Sequence, residues 1–192
     1  MIQHPPQRIE LDGLVLRWPT ASDVGLIADA VASSLDHLSP WMPWATPESG
    51  TVERQRSQQP DREANVAAGT DYMFMIMDSQ EQSMIGAIGL HRRVGPGAIE
   101  IGYWLRPTLV GGGHMTAAVV SLTAVALELA YVERVEIHCD EANLRSQRVP
   151  PRSGVRPDRG AADEIEPQPQ ASLGMVWGNP CSLPKLHRPT RV

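Results

Sequence analysis

Cysteine is scarce in this chain: Cys139 and Cys181 are the two among 192 residues, and they lack CxxC spacing. That excludes a zinc knuckle or a disulfide framework, and both thiols read as reduced. Basic charge is in deficit, with 17 Lys and Arg against 22 Asp and Glu for a net charge of −5. This balance argues against general binding of nucleic acid or of an anionic membrane, which requires a dense basic face. No apolar run approaches the roughly 20 residues that span a bilayer. The N-terminal stretch MIQHPPQRIELDG also lacks an apolar signal core, so a cytoplasmic protein is expected. The Gly-Lys-Ser/Thr of a Walker phosphate loop is absent. His37, His91, His114 and His138 show neither His-Glu-x-x-His nor paired spacing, so no metal is expected.

What is present suits a single domain: 42% apolar and 20% charged residues are enough to build one core and solubilise its surface. Leu14, Leu16 and Trp18 alternate with Val15 and Arg17 after a polar arm, which predicts a short strand ended by Pro19. Thr20 to Asp23 has the form of a helix cap, and Val24, Ile27, Ala28, Val31, Leu35 and Leu38 continue it as one apolar face. The loop Ser39 to Pro47 contains three prolines together with Trp41, Met42 and Trp44, a large apolar surface that either packs as a plug or walls a substrate. Residues 51–68 suit a helix that Pro60 kinks or splits.

Tyr72–Met77, Met84–His91 and Ala98–Leu105 then read as three strands joined by polar and Gly-Pro-Gly turns, an antiparallel meander. Met115, Ala118, Val119, Leu122, Val125, Ala126 and Leu129 mark a long helix, and Glu133 to Cys139 a returning strand. Beyond Asn143 the prolines interrupt any pattern until Met175-Val-Trp177, and residues 179–192 suit a disordered tail.

The centre of interest is the run from Glu100 to Ala118, in which a strand enters a helix through Gly111-Gly112-Gly113. Glycine permits positive φ, so the loop can turn its N–H groups toward one point, and the helix adds its unpaired first amides and its positive dipole end. Such a turn is an anion cradle into which a pyrophosphate would fit.

The element order, Ile99-Glu-Ile-Gly-Tyr-Trp-Leu-Arg-Pro107, the three glycines, Arg134-Val-Glu-Ile-His-Cys-Asp140 and Asn143-Leu-Arg-Ser146 together resemble the GCN5-related N-acetyltransferase (GNAT) family. The likeness covers roughly residues 8–178 and is strongest to the branch that acetylates ribosomal-protein N-termini; Pro40-Trp-Met-Pro-Trp44 is similar to the loop after that branch's first helix. It implies an α/β (α+β) fold with a mixed central sheet of about six to seven strands, flanked by helices, with an antiparallel meander before the cofactor helix. The implied activity is transfer of an acetyl group from acetyl-CoA to a primary amine, a protein N-terminus or a small amine, by direct attack in a ternary complex. The implied partners are acetyl-CoA and that acceptor, in a monomer or homodimer.

The resemblance also assigns residues. Val110, Gly111, Gly112, Gly113, His114, Met115 and Thr116 fall on the pyrophosphate loop, with Gly113 on its central glycine. Strand 98–105 would carry a bulge that frees backbone groups near Trp104, Leu105 and Arg106 for the pantetheine arm, the Leu105 amide serving as oxyanion donor. Asn143 and Ser146 match the residues at the cofactor arm and sulfur, with Ser146 a proton donor to the leaving thiolate or a helix cap. Glu164 or Glu166 matches the base, with Glu100 the second choice, and Trp41 and Trp44 would line the acceptor.

Three departures support a competing expectation, an acyl-CoA-binding protein without catalysis. Val110 replaces Arg or Gln, Met115 replaces Gly or Ala and would crowd the helix start, and Pro150 to Val155 replaces the end of a helix.

Overall fold

The computed structural model describes residues 1–152, with side chains through Pro150. Glu164, Glu166, the strand core at Met175–Trp177 and the expected boundaries at 178 and 179–192 lie outside the described residues.

The sheet has six strands in chain order. They are β1 (Arg8–Leu11), β2 (Leu14–Arg17), β3 (Asp71–Asp78), β4 (Met84–His91), β5 (Ala98–Leu105) and β6 (Arg134–Glu136). Each of the first four pairs antiparallel with the next, and β6 pairs parallel with β5. β1 arises in the stretch expected to be a polar arm. Ile9 and Leu11 alternate with Arg8 and Glu10, and Gly13 takes φ 74° to close a hairpin onto β2.

The segment between β2 and β3 is helical. A Thr20–Asp23 capping box opens it, with the Thr20 amide donating to the Asp23 carboxylate at 2.7 Å. The expected helix through Leu38 is two helices, α1 (Val24–Ala32) and α2 (Leu35–Leu38). The break has a local cause: the hydroxyls of Ser33 and Ser34 donate to the carbonyls of Asp29 and Ala30 at 2.8 and 2.7 Å, competing with the helical ladder. Pro60 likewise splits the next segment into α3 (Val52–Ser57) and α4 (Gln59–Ala68). It lies in the first turn of α4, where its missing N–H costs nothing.

The parallel step from β5 to β6 needs a crossover, and α5 (His114–Glu128) supplies it. Ala118, Val119, Leu122 and Ala126 of α5 bury against Leu16, Phe74, Ile88, Ile99 and Ile101 on one face of the sheet. The opposite face carries Val15, Met75, Met77, Ala87 and Trp104, covered by Ile27, Ala30 and Val31 of α1. Burial on both faces explains why the central strands read as almost continuous apolar runs.

Two expectations about the sheet are corrected. β6 ends at Glu136 although Ile137 and Cys139 stay buried, so the strand expected to reach Cys139 leaves the ladder early. The irregularity expected in β5 lies instead between β3 and β4, where Ile76 pairs Gly86 and Met77 pairs Met84, leaving Ile85 unmatched. β5 is unbroken against β4.

Candidate active site

The turn into α5 is an exposed cradle of amides. Gly111 and Gly113 take φ 90° and 83°, and a Cβ built on either meets no atom within 4 Å, so backbone conformation is what selects glycine here. The first helical bond is Ala117 N–H to the Gly113 carbonyl, at 3.0 Å. The amides of residues 111 to 116 therefore have no partner among the described residues. A side chain at Gly112 would meet the His114 imidazole at 2.8 Å, so that ring curls back over the turn. Val110 is exposed at the lip. Met115 is buried in the core beneath the helix, which corrects the expectation that it crowds the helix start.

Immediately before this turn the sheet opens. The β5–β6 ladder stops at Glu100 and Glu136, while β5 continues to Leu105. Arg106 N–H donates to the Ile85 carbonyl at 2.9 Å. Because an antiparallel strand turns alternate residues' backbone groups to opposite sides, Gly102 and Trp104 also face β4, and Ile101, Tyr103 and Leu105 face the gap. Of the three positions expected to offer backbone groups, Leu105 thus does so. Trp104 contributes its ring, and Arg106 turns away: its guanidinium donates to the Met84 carbonyl, the Ser33 hydroxyl and the Asp29 carboxylate at 2.7, 2.8 and 2.6 Å.

Across the gap lies the turn after β6. Asn143 Oδ1 accepts from the Ser146 amide at 3.1 Å, so Asn143, rather than Ser146, caps the following helical turn. The Ser146 hydroxyl donates to the Tyr103 phenol at 3.2 Å, and the phenol donates to the Ser146 carbonyl at 3.0 Å. Burial pushes the Tyr103 phenol well above its ordinary pKa, so it stays protonated.

The gap leads into a cleft of about 430 Å³ on the α1 face of the sheet, where Trp41, Trp44 and Trp104 form an aromatic wall. The Trp44 and Trp104 ring centroids are 6.2 Å apart at a 54° tilt, so this loop both packs and lines the cleft. Deeper in, burial alone would raise the Glu100 pKa, but two hydrogen bonds from Arg93, at 2.6 and 2.8 Å, and the nearby His91 and His138 draw it below its ordinary value. Such a carboxylate orders charge more readily than it accepts a proton. The Glu136 pKa is also lowered, first by its hydrogen bond with His138 at 3.0 Å.

A family model described as an acetyltransferase (GNAT) domain matches residues 13–156. The chain belongs to the GNAT family. Its relatives include YdaF of Bacillus subtilis (strain 168), a ribosomal N-acetyltransferase by name, which is 29% identical over 161 residues, 79% of this chain and 82% of that protein. The ribosomal-protein-S5-alanine acetyltransferase of Vibrio fischeri superposes with a TM-score of 0.76 at 20% identity, over 94% of this chain and 96% of that one. Mycobacterium smegmatis RimJ, solved with CoA-disulfide, gives 0.74 at 19% identity over 96% and 90%. These two likenesses show the fold.

As a GNAT protein the chain is an acetyl-CoA-dependent acetyltransferase, and its open amides and widened sheet fit that co-substrate. Among the described residues no group of three or more His, Cys, Asp and Glu could hold a metal, and no helix is long and apolar enough to cross a membrane. Sequence reasoning missed Tyr103, Asp71 and His91. The register that sets Asp71 opposite His91 depends on the bulge at Ile85, and counting back from the β3–β4 turn alone would set Asp71 opposite Leu90, so the residues gave no direct signal of the pair.

Proposed function

We propose that this GNAT protein transfers the acetyl group of acetyl-CoA to a primary amine, a protein N-terminus in the manner of its ribosomal namesakes or a small amine, without a covalent enzyme intermediate. The observation that carries the reading is continuity: unbonded amides at 111–116, unpaired backbone at Tyr103 and Leu105, and the aromatic cleft follow one another. The amides of Gly111 to Thr116, with the His114 ring and Val110 at the rim, receive the pyrophosphate. Asn143 and the Leu105 backbone take the pantetheine arm, and the Leu105 N–H stabilises the oxyanion formed when the amine attacks.

As the carbon–sulfur bond breaks, Ser146 turns its hydroxyl from the Tyr103 phenol, gives its proton to the thiolate and recovers one from water. Trp41, Trp44 and Trp104 hold the acceptor against the opening. Glu164 and Glu166 are the base candidates that the resemblance implies, and Glu100, held by Arg93, sets the local charge.

The test is release of free thiol from acetyl-CoA with Ala- or Ser-initial peptides and with small amines. Amine-dependent release is expected. CoA binding without such release from any amine would favour the non-catalytic reading.

A further inference from the structure

The cleft holds a titratable pair that the scheme above does not use. His91 Nδ1 lies 2.7 Å from Asp71 Oδ2, the two residues facing each other at the ends of β4 and β3. An ionised carboxylate only accepts, so Nδ1 carries the proton and Nε2 keeps its lone pair. Nε2 has no hydrogen-bond partner among the described residues, and both residues line the cleft.

The sheet is hollowed to seat this ring. Gly89 and Gly102 pair across β4 and β5, and a Cβ on either would meet the imidazole at 2.9 and 3.1 Å respectively. Neither glycine takes positive φ, so space for the ring, not backbone conformation, is what these positions provide. Gly102 lies between Ile101 and Tyr103, whose backbone groups face the gap.

We propose that His91, oriented by Asp71, is the base that deprotonates the acceptor amine. The inference rests on the function proposed above and names its proton acceptor. Nε2 takes one proton from the incoming ammonium, and the freed lone pair forms the carbon–nitrogen bond while the carbonyl pair moves onto oxygen. When that oxygen pair re-forms the carbonyl, the carbon–sulfur bond breaks and its electrons leave on sulfur. The second nitrogen proton is lost as the thiolate gains one, giving amide, CoA thiol and one proton on His91 that passes to water. Asp71 is a positioning residue: it fixes the tautomer and stabilises the imidazolium.

Charged and titratable groups line the cleft with the ring from the neighbouring elements: Asp71 on β3, Arg93 after β4, His138 and Asp140 after β6, and Arg62 and Glu63 on α4, with Glu100 of β5 close enough to feel the ring.

The experiment compares the parent with His91→Gln and Asp71→Asn, using acetyl-CoA and an Ala-initial hexapeptide, with CoA affinity measured by calorimetry. His91→Gln is expected to lower kcat by roughly a hundredfold or more, to leave CoA affinity unchanged, and to abolish the acid limb of the kcat/KM profile. Asp71→Asn is expected to lower kcat and shift that limb while KM for acetyl-CoA stays. If His91→Gln unsettles folding, the shifted limb in Asp71→Asn carries the result. Variants with the parent's kcat and pH profile would overturn the base alone. A parent that acetylates no amine would overturn the proposed function and the base with it.

Discussion

Gly89 and Gly102 face each other across β4 and β5 with the His91 imidazole lying over both. Two side chains are missing from the sheet so that a third can occupy their place beside the β5–β6 opening. Gly102→Ala puts a methyl 3.1 Å from His91 Nε2 and displaces the ring. Misplacement of a reacting group costs up to about a hundredfold. Turnover should fall by roughly tenfold or more, with CoA affinity unchanged, as steady-state kinetics and calorimetry will show.

At Gly113 the constraint is backbone conformation. With φ at 83° and free space around its Cβ direction, Gly113→Ala carries only the left-handed penalty, about 1–2 kcal/mol, read as a lower melting temperature. Gly113→Trp adds an indole where the amides point and should weaken CoA binding by about tenfold or more while the sheet stays folded. Parent-like CoA affinity in the tryptophan variant would remove the cradle from the site.

Much of this architecture was legible beforehand, because strands buried on two faces and a helix with one apolar face announce themselves by period. The bounds of β4 and β5 and the glycine-led start of α5 agree with the reading of the residues. The misses were of another kind. β1 is short and half-charged, and the serine break between α1 and α2 depends on hydroxyl bonds invisible to hydrophobic period. Early departure of β6 depends on tertiary spacing. His91 looked scattered because its partner lies 20 residues away along the chain and becomes a neighbour only through hairpin register.

Asp23 links pH to stability. The Arg17 guanidinium, first, and the Thr20 hydroxyl and amide hold its carboxyl down from 3.8 to about 2. A depressed folded-state pKa gives stability that is complete above the unfolded value and lost as pH falls through the folded one. Allowing for solvent screening, about 1–2 kcal/mol should disappear between pH near 4 and pH near 2. Urea unfolding of the parent and Asp23→Asn across that window checks this: the variant should start lower at neutral pH and show a flatter dependence.

The Tyr103–Ser146 bond joins β5 to the turn beyond β6 across the opening. Ser146→Ala should lower kcat by about tenfold to a hundredfold while CoA affinity changes little, since donation to the departing thiolate matters only in the reaction. Tyr103→Phe should lower it in the same direction and, by removing the bond to the Ser146 carbonyl, also weaken CoA binding slightly. Unchanged turnover in Ser146→Ala would take the serine out of proton transfer.

A crystal structure with CoA bound examines the central arrangement most directly. The account predicts the pyrophosphate against the amides of Gly111 to Thr116, the pantetheine arm in the gap beside Tyr103 and Leu105, and its sulfur directed toward the cleft over Gly102. A pyrophosphate bound elsewhere, with the 111–116 amides turned to protein or solvent, would contradict it.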